Sequence, residues 1–288
     1  MGSKSKIEWT DATWNVVTGC SKVSRGCQNC YAERLIERMG ERLGHRGKFT
    51  EINLHPDRLD MPLRWMRPRM IFVCSMSDLF HGDVPDGFLI RVFDVIRQCH
   101  ARLKEHIFQI LTKRPKRMAD FCSRLRFDPS AENGMGRMWL ADHRDDERGL
   151  PLLKAGWRSC SLSNVWFGVS AEDQEALDQR APWLKCVSTT VRFLSLEPLL
   201  GPVDLTDHLS YVNWVIVGGE SGPEARPMRP EWVRSVRDQC REACVPFFFK
   251  QWGEWGPDGK RVGKPEAGRV LDGREWTEFP SSRSAYGG

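Results

Sequence analysis

Five short apolar runs, each ending abruptly in polar residues, constrain the fold of this chain more than any other feature. They are Met70 to Cys74 into Ser75-Met76-Ser77-Asp78, His106 to Leu111 into Thr112-Lys113-Arg114, Val165 to Val169 into Ser170-Ala171-Glu172, Val191 to Leu194 into Ser195-Leu196-Glu197, and Asn213 to Val217 into Gly218-Gly219-Glu220-Ser221. Near-continuous apolarity in so short a run suits parallel strands covered on both faces. A first strand is expected around Trp14 to Thr18, and a last around Val245 to Phe249, ending in Lys250-Gln251-Trp252. Helical patterns lie between them at Tyr31 to Leu43, Phe88 to Leu103, Lys116 to Leu125, Asp173 to Trp183 and Glu231 to Ala243. The alternation predicts right-handed βα units, an α/β fold built as a partial or full parallel (β/α) barrel of about six or seven strands. All strand C-termini then share one face, where the polar tails converge and where such barrels carry their active sites. The plainer reading is that every strand must end in something polar.

The 288 residues suffice for one such barrel, and 40% hydrophobic with 28% charged residues is the balance of a soluble globular protein. The barrel domain is expected over residues 1–255, with a cysteine loop after its first strand. Residues 128–163 interrupt it as a long, polar insertion without a sustained period, either a lid or a tolerated excursion. Residues 256–288 read as a C-terminal extension, rich in turn signals and partly flexible. No apolar run approaches the roughly 20 residues that span a bilayer, and the N-terminus lacks the apolar segment of a secretory signal. A cytoplasmic protein without membrane contact is expected. A net charge of +5 suits an anionic partner such as nucleic acid, and equally a solubilising surface.

Three of the ten cysteines fall in eleven residues, Cys20-Ser21-Lys22-Val23-Ser24-Arg25-Gly26-Cys27-Gln28-Asn29-Cys30, between a strand and a helix. In a signal-free chain of this length, metal ligation is a better reading of such clustering than disulfides. Three thiolates suffice for three irons of a 4Fe–4S cube and leave the fourth iron open to an exchangeable ligand. Zinc competes, because soft thiolates suit it too and a distant Cys or His would complete a tetrahedron.

Further motifs accompany this loop: Trp14-Asn15 with Thr18-Gly19-Cys20, Cys27-Gln28-Asn29-Cys30-Tyr31-Ala32, Ser77-Asp78-Leu79-Phe80, Leu111-Thr112-Lys113-Arg114-Pro115, Trp166-Phe167-Gly168-Val169-Ser170, Ser195-Leu196-Glu197-Pro198-Leu199, Gly218-Gly219-Glu220-Ser221-Gly222 and Lys250-Gln251-Trp252-Gly253. On them the chain, from Trp9 to about Trp255, resembles the radical S-adenosylmethionine (SAM) superfamily. In particular it is similar to a phage and bacterial family of three-cysteine, radical-SAM-like proteins. Most of the superfamily has Cys-x3-Cys-x2-Cys, whereas this chain has Cys-x6-Cys-x2-Cys, which asks for a wider loop.

The resemblance implies a 4Fe–4S cluster on Cys20, Cys27 and Cys30, an external one-electron reductant, and reductive cleavage of SAM to a 5′-deoxyadenosyl radical. It points to a hypermodified thymine-type base in phage DNA as substrate, modified or rearranged in a host cell's cytoplasm. On that premise Ser75, Ser77 and Asp78 are candidates for the cofactor's amino group or ribose hydroxyls, with Thr112, Ser170 and Gly219 beside them. Lys113 and Arg114 suit a carboxylate, Arg114 also the substrate, and Tyr31 the adenine. Glu172, Glu197 and Glu220 are candidates for ribose or substrate, or for salt bridges with Arg114, Lys113 or Lys250. Ser221, Lys250 and Trp252 complete the substrate set, while an isolated His81 reads as structural. Alternatives are a radical lyase repairing a DNA lesion, a radical enzyme acting on a peptide or small molecule, and a non-enzymatic zinc-binding module.

Overall fold

The computed structural model describes residues 5–128, 137–141, 158–159 and 163–281. Seven strands form one parallel sheet in sequence order: β1 (Ala12–Trp14), β2 (Met70–Val73), β3 (Ile107–Thr112), β4 (Val165–Ser170), β5 (Val191–Leu196), β6 (Trp214–Gly218) and β7 (Phe247–Gln251). Each pairs with the next, and β1 and β7 stay unjoined, so the sheet curls into a half-barrel. The principal helices are α1 (Tyr31–Met39), α2 (Asp86–Ala101), α3 (Pro115–Arg124), α4 (Gln174–Arg180) and α5 (Pro230–Glu242). The alternation lapses once, where residues 197–213 join β5 to β6 through turns.

The apolar runs are continuous because both sheet faces are covered, as parallel strands require. Ile71, Val73, Phe108, Ile110, Val169, Leu194 and Val217 belong to one continuous core that also takes in Val92, Phe93 and Ile96 of α2. Residues of the opposite parity, Phe72, Trp166, Phe193, Trp214, Ile216 and Phe248, face the concave side around Trp9. The Trp9 ring is 2% exposed and lies 4.7 Å from Phe72 and 6.3 Å from both Phe193 and Trp214. Its burial contributes on the order of 2–3 kcal/mol and fills the base of the half-barrel, leaving the polar strand ends as the mouth.

One expected element divides in two. β1 ends at Trp14, and Val17–Thr18 leaves the main sheet to pair antiparallel with Asn53–Leu54. A chain of buried hydrogen bonds fixes this departure: the Thr18 hydroxyl lies 2.9 Å from His55 Nε2 and 3.0 Å from His45 Nδ1. His45 Nε2 faces the Lys48 carbonyl at 3.0 Å, so Nε2 carries the proton, Nδ1 accepts from Thr18, and Thr18 accepts from His55. Burial first, and the Arg58 guanidinium second, lower the His55 pKa to about 4.

A pH dependence follows. The unfolded chain binds this proton more readily than the fold, so the contribution is complete above about pH 6.5 and is lost as pH falls through about 4, on the order of 2–3 kcal/mol. Urea unfolding between pH 7.5 and 4 should show a smaller loss of stability for His55→Gln than for wild type; parallel curves would contradict the assignment.

The insertion begins as an antiparallel sheet of Leu125–Asp128 with Arg137–Leu140 and Arg158–Ser159. This root packs on the outer helical layer, with Met138 in the main core and Arg97 of α2 stacked 4.7 Å from the Phe127 ring. Other parts of the expected lid or excursion lie outside the described residues. The described part of the C-terminal extension packs on the sheet: Leu271 and Trp276 are buried, Phe249 donates its N–H to the Trp276 carbonyl at 2.8 Å, and Phe279 stacks on Trp214.

Candidate functional site

The cysteine loop lies over the half-barrel mouth and is tied down at both ends. Gly19 takes a φ of +90°, and a Cβ there would sit 2.2 Å from the Glu51 carbonyl oxygen, so this turn admits only glycine. Its N–H bonds the Met76 carbonyl, and Cys20 N–H bonds the Phe49 carbonyl at 2.8 Å. Arg25–Cys27 forms one 3-10 turn, and Cys30 immediately precedes α1.

All nine described cysteines are free thiols. Burial, reinforced by the Asp78 carboxylate and opposed by Arg114, pushes the Cys20 thiol up to about 11. Cys30 is raised by burial against the pull of the Glu33 and Ala32 amides. Both thiols are neutral at pH 7, so binding a metal there would release protons. Among the described residues no three His, Cys, Asp or Glu side chains are grouped tightly enough for a single metal ion.

Four groups at the strand ends hold the loop from beneath. Beyond β4, Glu172 is 1% exposed and pairs with Arg180 at 3.0 Å and Lys113 at 3.8 Å. A Cβ on Gly26 would meet the Glu172 carboxylate at 2.7 Å, so loop and carboxylate touch there through glycine. Burial acts to raise the Glu172 pKa, and the charges of Lys113 and Arg180 bring it below the usual carboxylate range.

Beyond β6, Glu220 is gripped by Arg226 through Nε at 2.8 Å and Nη2 at 2.6 Å, and accepts from Asn29 at 3.1 Å. Arg226 also donates to the Arg25 carbonyl and to Gln28 Oε1. Again burial acts upward, and the bonds from Arg226 outweigh it, so Glu220 stays ionised. The third group is Ser221, whose carbonyl accepts from Arg34 of α1 at 2.5 Å. Arg226→Met should leave the protein folded but loosen the loop, with the backbone amides of residues 25–28 exchanging hydrogen roughly tenfold faster than in wild type. Equal exchange rates would show that Arg226 does not support the loop.

The fourth group is Arg114. It donates to the Ser21 carbonyl at 3.1 Å and the Ser21 hydroxyl at 2.8 Å, approaches Cys20 Sγ at 3.8 Å, and pairs with Asp78 at 3.5 Å. Asp78, 6% exposed, accepts from the Thr112 hydroxyl at 2.7 Å and from the N–H groups of Lys113 and Phe80 at 3.0 Å. Asp78, Thr112 and Arg114 are therefore committed to fixing the β2 and β3 ends and the first cysteine.

The remaining expected residues divide by exposure. Tyr31 is 51% exposed, and its hydroxyl donates to the Ser75 carbonyl. Ser75 donates to Asn15 at 3.1 Å, and Ser77 to the Val17 carbonyl at 2.9 Å. Lys113 Nζ donates to Ser170 Oγ at 2.5 Å, and Lys250 Nζ donates to Glu197 Oε2 at 2.9 Å. The second Glu197 oxygen, Oε1, has no partner among the described residues.

Gly219 and Trp252 serve packing. A Cβ on Gly219 would sit 1.8 Å from the Trp252 carbonyl oxygen, so Gly219 gives close approach to the β7 end and not to a ligand. Trp252 is 2% exposed and donates its indole N–H to the Val270 carbonyl, which removes it from the surface a substrate can touch.

Sequence reasoning missed Ser21, Asn29, Arg34, Arg180 and Arg226, and set His81 aside. Ser21 and Asn29 lie inside the cysteine motif, where position alone was a signal. Arg34, Arg180 and Arg226 sit on helices or loops whose relation to the mouth only the fold reveals. His81 is buried, with Nε2 2.7 Å from the Ser21 hydroxyl.

A family model described as Protein of unknown function (DUF5131) matches residues 4–280. No curated protein matches the sequence. Among solved structures, spore photoproduct lyase complexed with dinucleoside spore photoproduct is similar at 10% identity and a TM-score of 0.42, over 84% of this chain and 64% of that one. A spore photoproduct lyase variant with bound AdoMet and dinucleoside spore photoproduct follows at 10% identity and a TM-score of 0.41, over 83% of this chain and 55% of that one. The chain thus spans 64% and 55% of the length of these two structures, and a likeness of this size assigns no role to any residue.

Proposed function

The chain belongs to the DUF5131 family, and we propose that it is a radical SAM enzyme that holds a 4Fe–4S cluster on Cys20, Cys27 and Cys30 and acts on a modified base in DNA. One observation carries the reading: a loop with three free thiols is clamped over the mouth of a parallel half-barrel by four groups from three different strand ends. Such a loop, with no fourth cysteine in it, suits a cube with one open iron.

When bound, cluster and cofactor together supply one-electron cleavage of the sulfonium, fed by an external reductant. The protein's part is placement and exclusion of water. Lys113, 17% exposed at its side chain, offers an ammonium to the cofactor's carboxylate, while Ser170 and Glu172 hold that ammonium in place. Tyr31 presents its ring at the loop's edge, where it can pack on adenine. The Glu197–Lys250 pair, partly open at the far side of the mouth, is the substrate-facing group. Support for a nucleic-acid substrate comes from the net charge of +5 and from Arg25 and Lys22, exposed on the same loop. A base inside a duplex must be extruded to reach such a mouth.

The test is anaerobic reduction of reconstituted protein with SAM and DNA carrying candidate modified bases, read by mass analysis of nucleosides. Formation of 5′-deoxyadenosine together with an altered base is expected. Absence of 5′-deoxyadenosine overturns the enzyme class. 5′-Deoxyadenosine with unaltered DNA, and with a changed peptide or small molecule instead, overturns the substrate. A split or repaired base lesion would identify a repair lyase on the same cofactor site.

A further inference from the structure

The hydroxyl of Ser21, next to the first cysteine, has one proton more than the protein uses. Its oxygen lies 2.8 Å from Arg114 Nη2, which can only donate. It also lies 2.7 Å from His81 Nε2. The far side of that imidazole settles which atom donates: the Asp83 backbone N–H points at His81 Nδ1 at 3.2 Å, so Nδ1 is the acceptor and Nε2 carries the proton. Burial, and then the Arg114 charge, lower the His81 pKa, in keeping with this neutral tautomer.

Ser21 Oγ therefore accepts two hydrogen bonds, which occupy both of its lone pairs. Its own hydrogen meets no acceptor among the described residues. Arg114 Nη1 lies 3.8 Å from Cys20 Sγ. Two donors are thus fixed at Cys20 and the residue beside it, the Ser21 hydroxyl by buried His81 and Arg114 by Asp78.

We propose that the Ser21 hydroxyl, oriented by His81 and Arg114, donates a hydrogen bond to an anionic acceptor that arrives with the group bound on Cys20. The inference rests on the iron–sulfur reading above and deepens it. Two acceptors have the required chemistry, a sulfur of the cluster and the carboxylate of the cofactor that meets the open iron. His81 is a positioning residue, acting through Ser21. Hydrogen bonds to sulfur and net positive charge nearby both favour the reduced cluster, so the donor would raise its reduction potential.

The test uses full-length wild type, Ser21→Ala, Ser21→Thr, His81→Phe and His81→Gln, each reconstituted anaerobically. Iron per chain, midpoint potential by EPR-monitored titration without SAM, and SAM Kd by equilibrium dialysis are measured. If sulfur is the acceptor, Ser21→Ala and His81→Phe carry full iron but titrate at a more negative potential. If the carboxylate is the acceptor, that potential holds while SAM Kd weakens roughly tenfold, the effect of removing one hydrogen bond to a charged group. Either result supports the proposal, provided Ser21→Thr and His81→Gln, which keep the hydroxyl and an N–H at the Nε2 position, restore wild-type values. Fully loaded Ser21→Ala with unchanged potential and unchanged SAM Kd overturns it and leaves the functional reading intact. A wild type that takes up no iron sinks both, and so differs visibly from failure of this inference alone.

Discussion

Cys27→Ala protein, reconstituted anaerobically, is expected to retain well under one iron per chain where wild type takes up about four, and to form no 5′-deoxyadenosine. The effect is all or none because a cube on three protein sulfurs has no ligand to spare. Among the described residues no other cysteine lies in the loop. Cys74, Cys99 and Cys240 are buried in the core, their thiols pushed up to about 12, chiefly by burial. The fold should survive, since Cys27 is only half-buried and makes no side-chain bond that shapes the loop. Iron analysis with a thermal unfolding curve checks both halves: lost iron at an unchanged Tm is the expected pair. Full iron retention would remove Cys27 from the ligand set.

The second large effect concerns the fold beneath the site. Gly219→Ala is expected to destabilise the protein by about 3 kcal/mol or more and to lower Tm by roughly 6–10 °C. Its Cβ would fall 1.8 Å from the backbone oxygen of Trp252, and backbone has no rotamer by which to yield. The β6 and β7 ends would have to separate, breaking the Gly219 N–H bond to the Gln251 carbonyl and the Gln251 amide bond to the Gly219 carbonyl. Gly218→Ala is the control, because its Cβ would meet Glu197 Oε1 at 3.2 Å, a side-chain atom able to shift. A Gly219→Ala protein as stable as Gly218→Ala would mean that the two strand ends do not approach so closely.

The architecture was legible because each parallel strand is covered on both sides and so leaves an uninterrupted apolar run. Six of the seven strands fall where those runs predicted them. The first was read as one strand from Trp14 to Thr18, since its apolarity continues through Val16 and Val17. What divides it is the Thr18–His45–His55 chain, formed with residues about 30 positions away, which no local pattern announces.

That Cys20, Cys27 and Cys30 share one loop before α1 was equally legible from spacing, and the polar tails do converge on one mouth. What each tail does there was not. Glu220 was offered Arg114, Lys113 or Lys250 as an ion-pair partner, and Arg226, which holds it, was not among them because it lies beyond a turn and has no periodic relation to it. Asp78 and Arg114 looked like cofactor groups because a sequence shows a side chain's chemistry but not whether a neighbour has already satisfied it. Trp252 was a candidate for substrate contact from its place at a strand end, and the C-terminal segment whose Val270 carbonyl holds its indole N–H has no pattern that announces the contact.

The central claim is that three sulfurs of one loop hold an iron cube with one corner open. The EPR spectrum of anaerobically prepared, dithionite-reduced protein, recorded with and without SAM, tests it most directly. Iron and sulfide near four per chain and a reduced-cluster signal that changes shape when SAM is added are the predicted result. A colourless protein holding a single zinc, or a cluster signal indifferent to saturating SAM, would contradict it.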